Sequence, residues 1–294
     1  MNLWKEIKAL FSRGNNLVKL IYINIAVFLV LSIVAIINFL MNDPGLNDKV
    51  LGFLAAPASL KTLAVRPWTI ITYMFTHSNI WHILLNMLWL GWFGKIFLEF
   101  LDQRKLVSVY LLGGISGALI YILSFNLFPV FADITDVSVA IGASASVMAI
   151  VFATATYVPN YNVNLFLFGR VKVIWIALVV LVLTSFMNFA DNAGGKLAHI
   201  GGAFYGYIFA INLKKGKDIG AWINKMIDFL VSLFKPKPKI KVTYSRPKND
   251  FEYNRNRAEH QKTIDKILDK LSKGGYDSLT KEEKEILFRE SRNR

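Results

Sequence analysis

Six apolar stretches of about 20 residues recur along this chain, each long enough to cross a hydrocarbon core roughly 30 Å thick. They fall at 17–41, 78–98, 105–126, 137–158, 171–190 and 197–213. With 54% hydrophobic residues and a mean hydropathy of +0.41, the 294-residue chain is too apolar for an ordinary soluble domain. The fold class expected is all-α: a polytopic membrane protein, a six-transmembrane-helix bundle with a small cytoplasmic helical tail. The first stretch exceeds a signal-peptide core and shows no convincing cleavage site, so it reads as a retained anchor.

The distribution of charge orients the bundle. Lys and Arg favour the short cytoplasmic loops. They occur at Lys5, Lys8, Arg13 and Lys19, at Arg104 and Lys105, and at Arg170 and Lys172, and they crowd the tail. The connection between stretches three and four carries Asp133 and Asp136 and no base, and that between five and six has only Asp191 and Lys196. This alternation puts both termini in the cytoplasm, in the cell (inner) membrane. The net charge is +14, and from Lys214 onward there are 21 Lys+Arg against 12 Asp+Glu. Beside six spans, such a basic tail points to anionic lipid or to topology rather than to nucleic acid. With no cysteine, disulfides, Cys-based metal sites and thiol catalysis are excluded.

Four segments follow: 1–16, 17–213, 214–257 and 258–294. The first, with Leu3, Trp4, Ile7, Leu10 and Phe11 on one helical face, is expected to lie in the inner interface. The second is the six-span domain. Residues 42–77 are apolar but broken by Pro57 and Lys61, and are expected to lie as an interfacial loop on the outer leaflet. The third is a basic juxtamembrane linker. It includes an amphipathic stretch at 219–234 and the stiff run Lys235-Pro236-Lys237-Pro238-Lys239. The fourth reads as a helical hairpin. One helix spans about 258–273, Gly274-Gly275 breaks it, and a second starts at Thr280, which has capping-box spacing to Glu283.

Polar residues inside apolar spans are costly and mark functional sites by default. With the N-terminus inside, stretches two, four and six all run inward. His82 and Asn86, Ser144, and His199 then share a depth of roughly 10 Å at about 1.5 Å per residue. They are expected to line one polar pocket open to water. A serine and a histidine are the minimum kit for acyl transfer. Gly142 lets backbone approach Ser144, and the unpaired N–H groups of a helix start favour a developing oxyanion. His199 can take the serine proton, while His82 and Asn86 can donate to the same oxyanion. No acidic residue is placed to orient His199, which makes the pair a dyad. Gly201 and Gly202 are expected to allow close helix packing, and Gly202 with Gly206 has small-xxx-small spacing. Ser146 is expected only to bond the carbonyl four residues back. His82 and Asn86 share a helix face, but with only His77 nearby the expectation is no metal and no cofactor.

The patches Pro67-Trp68-Thr69, Thr72, Phe75, His77, His82-x-x-x-Asn86, Gly94 with Glu99, Gly142-Ala143-Ser144-Ala145 and Ala198-His199-Ile200-Gly201-Gly202 together resemble the rhomboid family of intramembrane serine proteases, of the bacterial type with a six-span core. The resemblance covers roughly 66–213. It implies Ser144 as nucleophile, His199 as general base, and an oxyanion hole from His82, Asn86 and the Ser144 N–H. It also implies serine-type endopeptidase activity on substrates that are themselves transmembrane proteins, entering laterally from the bilayer. Ala145 stands where the family often has Gly, and Met148 where many members have an aromatic against the catalytic histidine. Arg66-Pro67-Trp68 stands where some members show Trp-Arg. The alternative is a weak or inactive relative that binds membrane proteins without cleaving them. A transporter ranks third, lacking charges deep in the spans. The tail leaves room for a cytoplasmic partner.

Overall fold

A computed structural model describes residues 14–42, 44–166, 169–234 and 250–291. The amphipathic face expected at residues 3–11 and the Lys-Pro run at 235–239 lie outside the described residues. The chain divides into two compact units, Met1–Phe234 and Lys235–Arg294.

In the first unit, each expected apolar stretch contains one helix, in order. These are α1 (Asn16–Leu40), α5 (Ile80–Phe100), α6 (Gln103–Leu127), α7 (Ser144–Tyr157), α8 (Val173–Ser185) and α9 (Ala193–Lys214). Between α1 and α5 lie the short helices α2 (Pro44–Leu54), α3 (Leu60–Val65) and α4 (Thr69–Thr72), and α10 (Ala221–Phe234) closes the unit. The molecule is an all-α polytopic membrane bundle. By length and composition, α1, α5 and α6 each suffice to cross a bilayer. Helix α7 has 14 residues and α8 has 13, about 20 Å each, so neither reaches across a core of roughly 30 Å. Helix α8 and the segment from Phe189 to Lys214 meet at a bend of 85°.

Asparagine and aspartate start the other long helices. The Asn15 side chain accepts from the Val18 N–H at 3.0 Å, Asn79 from His82 at 2.9 Å, Asp102 from Arg104 and Lys105 at 2.9 Å, and Asn192 from Gly195 at 3.0 Å. Each satisfies a donor that the helix cannot.

Small residues set the depth of packing. Every residue from Ala145 to Ala155 in α7 is buried, enclosed by α6, α9 and α5. A methyl on Gly202 would sit 2.0 Å from the Ala145 carbonyl oxygen, and one on Gly206 2.1 Å from that of Ala149. On the α6 side, a methyl on Gly113 would come 2.1 Å from that of Ala149, and one on Gly117 2.5 Å from that of Ala145. Backbones therefore touch, as in small-residue interfaces within membranes. The methyl of Ala145 is accommodated because Gly117 has none.

The segment 42–77 has regular structure of its own. It holds α2, α3 and α4, and its middle packs on the bundle. Ala56 and Pro57 form strand β1, antiparallel to β2 (Val139–Ala140). The Asn126 amide donates to the Ala58 carbonyl at 2.8 Å, and Ser59 Oγ donates to Asp136 at 2.8 Å. Phe53, Leu60 and Val65 remain exposed. Strands β3 (Asn162–Leu165) and β4 (Gly169–Lys172) pair as a hairpin between α7 and α8.

The second unit contains α11 (Asp250–Gly274) and α12 (Lys281–Ser291). Helix α11 begins at Asp250, not near 258. Asp250 and Glu252 in its first turn complement the helix dipole and extend it. The break at Gly274-Gly275 and the capping box are present. Thr280 N–H donates to Glu283 Oε2 at 2.7 Å, and Glu283 N–H to Thr280 Oγ1 at 3.3 Å. Pairs His260–Glu290 at 2.9 Å and Lys270–Glu283 at 2.8 Å run the two helices antiparallel, with Ile267 and Leu279 buried.

Candidate active site

The nucleophile candidate sits on a held loop. Gly142 has φ +122°, a conformation side chains resist, and its N–H donates to the Tyr73 carbonyl at 2.9 Å. The Tyr73 hydroxyl donates to the Gly114 carbonyl at 2.6 Å, and the Tyr110 hydroxyl to Met74 at 3.1 Å. Buried Asn24 donates to Tyr110 at 3.1 Å, so α1, α6 and residues 73–74 brace the loop from below.

Ser144 is the first residue of α7, later than the expected span start at 137 because residues 139–143 are extended or turning. Unlike the capped helices, α7 has no side-chain cap at Ala143. Its first N–H groups have no intrahelical partner and open beside Ser144.

His82, Asn86, Ser144 and His199 all line one cavity of about 280 Å³, so the structure brings the four candidates together. A Cβ on Gly142 would meet His82 Nε2 at 2.7 Å and Ser144 Oγ at 3.7 Å, so both side chains lie over its missing methyl. One N–H of the Asn86 amide donates to the His82 carbonyl at 2.9 Å, leaving the second for the cavity. Met148, Val180 and Trp89 supply apolar walls.

The orientation of His199 comes from a group that side-chain reasoning does not see. Its Nδ1 lies 3.3 Å from the Thr184 carbonyl. A carbonyl only accepts, so Nδ1 carries the proton and Nε2 holds the lone pair. Helix α8 ends at Ser185, so the Thr184 carbonyl has no partner in its own helix and is free to accept. Thr184 itself lines the cavity.

His77 does not line the cavity. It lies beneath, 3% exposed, with Nε2 3.5 Å from the Ala143 N–H and its ring edge-on to His82 at 5.0 Å. Ser146 does not make the expected bond to a carbonyl four residues back. Residue 142 precedes the helix, and Ser146 Oγ is buried without a partner among the described residues. Gly201 packs against Ser116, whose hydroxyl donates to the Gly201 carbonyl at 2.8 Å, and Gly202 against Ala145. Among the described residues no group of three or more His, Cys, Asp or Glu could hold a metal.

Comparison with known proteins matches the model of the Rhomboid domain to residues 64–215, and that of a Family of unknown function (DUF6576) to residues 249–293. The chain is similar to Rhomboid protein 1, mitochondrial, of Saccharomyces cerevisiae, 27% identical over 153 residues, covering 51% of this chain and 43% of the relative. It is similar to Presenilin-associated rhomboid-like protein A, mitochondrial, of Danio rerio, 27% identical over 140 residues, or 45% and 34% of the two chains. Rhomboid-related protein 1 of Caenorhabditis elegans is 29% identical over 184 residues, 57% and 46%. The chain spans less than half the length of these curated relatives. The domain match covers more than half of the chain and contains every residue that lines the cavity, and the chain therefore belongs to the rhomboid family.

Proposed function

We propose that the protein is a serine endopeptidase that cuts peptide bonds in or near transmembrane helices, using Ser144 and His199 as a dyad. The observation that carries this reading is the cavity that Ser144 and His199 both line, with His199 Nδ1 held by the Thr184 carbonyl so that Nε2 stays free to act as the base. Ser144 Oγ attacks the scissile carbonyl as Nε2 takes its proton. The oxyanion is met by the Ser144 N–H, the free N–H of Asn86 and His82. Nε2 then gives the proton to the leaving amine, takes one from a water whose oxygen attacks the acyl carbonyl, and returns it to Ser144 Oγ as the acyl–oxygen bond breaks.

An apolar groove of about 490 Å³ between α5 and α8, walled by Trp89, Trp92, Trp175, Val179 and Leu183, suits a helix arriving from the bilayer. Trp89 and Val180 line both groove and cavity, which supports lateral entry of transmembrane substrates. The charge alternation supports an inner cell membrane setting with both termini cytoplasmic. In this reading 17–213 is the catalytic domain, 1–16 an interfacial segment, 214–257 a juxtamembrane linker and 258–294 an accessory hairpin.

The test is covalent labelling by a fluorophosphonate alongside cleavage of a transmembrane reporter. Wild type is expected to label and cleave. Ser144→Ala should do neither, and His199→Ala should lose cleavage without further loss in the double variant, because the pair acts as a unit. Full cleavage by folded Ser144→Ala would overturn the assignment of Ser144, whereas folded wild type that neither labels nor cleaves would leave a non-cleaving membrane-protein binder.

A further inference from the structure

Helix α5 starts beside the Ser144 cavity and ends at Phe100, and α6 begins at Gln103. Arg104 therefore lies at the far end of the bundle. There α1 and α6 both begin, and α10 packs against them with Ile223 buried. A cleft of about 290 Å³ opens between these three helices. Its rim is polar: Asn16 and Lys19 from α1, Arg104 from α6, Asn224 from α10. Its wall is apolar, with Leu20, Ile23 and Val107. Ile23 lies about one turn further into its span than Lys19, and Val107 than Arg104, roughly 5 Å deeper, while Leu20 lies one turn beyond Asn16.

The cations of the rim are not equivalent. Arg104 donates to Asp228 at 3.1 Å, whereas Lys19 has no ion-pair partner among the described residues. With Asp228 on the lining, one positive charge remains in excess. Lys214, Lys215, Lys217 and Lys225 stand exposed at the end of α9 and on α10, raising the potential further.

Helix α10 divides its circumference among three surroundings. Ile223 and Ile227 face the bundle, and Lys225 and Ser232 face outward. Trp222, Met226, Phe229, Leu230 and Leu233 form an exposed apolar row between them. Such a helix lies in the plane of the interface, at the depth of lipid head groups.

We propose that this cleft seats an anionic phospholipid, its phosphate beside Lys19 and Arg104 and its acyl chains along Leu20, Ile23 and Val107. The apolar wall decides between lipid and a soluble anion. A free phosphate would leave that wall bare, whereas a phospholipid covers both ends of the cleft. The inference rests on the membrane fold and not on the proposed chemistry of Ser144.

The test uses the full chain in a neutral detergent, titrated with phosphatidylglycerol, phosphatidylcholine or inorganic phosphate, with retained lipid read by native mass spectrometry. Phosphatidylglycerol is expected to be retained in preference to phosphatidylcholine. Lys19→Gln should weaken retention about fivefold, the effect of one cation near an anionic head group. Lys19→Arg, which keeps the charge, and Lys217→Gln, outside the cleft, should retain it as wild type does. Equal retention of the two lipids, or no change in folded Lys19→Gln, overturns the site. An equal loss in Lys217→Gln reassigns binding to diffuse surface charge. Displacement of the lipid by millimolar phosphate reassigns the cleft to a free anion.

Discussion

Asn86 shows how a single side chain is anchored by one donor while a second stays free for the cavity. One amide hydrogen is spent on the His82 carbonyl and fixes the rotamer, so the second points without a search. Asn86→Ala is expected to lower turnover 10- to 1000-fold, the range for one lost oxyanion donor. The same variant should label with fluorophosphonate more slowly but still fold. Chelators should leave the wild-type rate unchanged, and inhibition by EDTA that zinc reverses would refute the oxyanion role of His82 and Asn86. At this scale Ser144, His199, His82 and Asn86 were legible, because a polar side chain in an apolar span announces itself. Thr184 was not, since it acts through a backbone carbonyl that every residue possesses. His77 was legible only as a histidine. Its place under the Ala143 N–H depends on a fold-back of the chain between residues 77 and 143.

Among the elements, α7 and α9 set the distance between Ser144 and His199. Their contact is backbone on backbone at Gly202, where any Cβ would come within 2.0 Å of the Ala145 oxygen. A carbonyl cannot give way as a flexible side chain can, so the helices must separate. Gly202→Val is expected to cost about 1–3 kcal/mol, typical of overpacking. It should also lower cleavage strongly, both read by thermal melting and reporter turnover in detergent. A variant with wild-type melting and turnover would show that this contact does not set the site.

The tail hairpin offers a separate test. Lys270 hydrogen-bonds Glu283, and with the Thr280 N–H it holds that carboxyl below its ordinary value of 4.5. A lowered folded value means the stabilisation is complete above 4.5 and is lost as the pH falls below it through the folded value. Hydrogen exchange across 276–291, corrected for intrinsic rates, should accelerate in that acid window. Glu283→Gln should be fast already at neutral pH and change little on acidification.

For the whole molecule, every cavity-lining residue precedes residue 200, and the described tail forms its own compact unit. Ending the chain after Phe234 is expected to leave the cleavage rate within a few-fold of the full chain, compared at matched folded protein. A complete loss in a folded truncated protein would make the tail part of the catalytic machine.

The number and order of the apolar helices, and the polar residues set in them, follow from the sequence alone. Hydrocarbon length and the cost of burying polarity are local quantities that a chain carries in its composition. The tertiary structure decided what depends on approach between distant segments. It shortened α7 to begin at Ser144, because residues 139–140 pair with 56–57. It drew 55–59 onto the bundle and supplied the Thr184 carbonyl to His199. Such contacts rest on where helices end and how closely their backbones meet. Both are set by packing among several helices at once, which no window along one segment can contain.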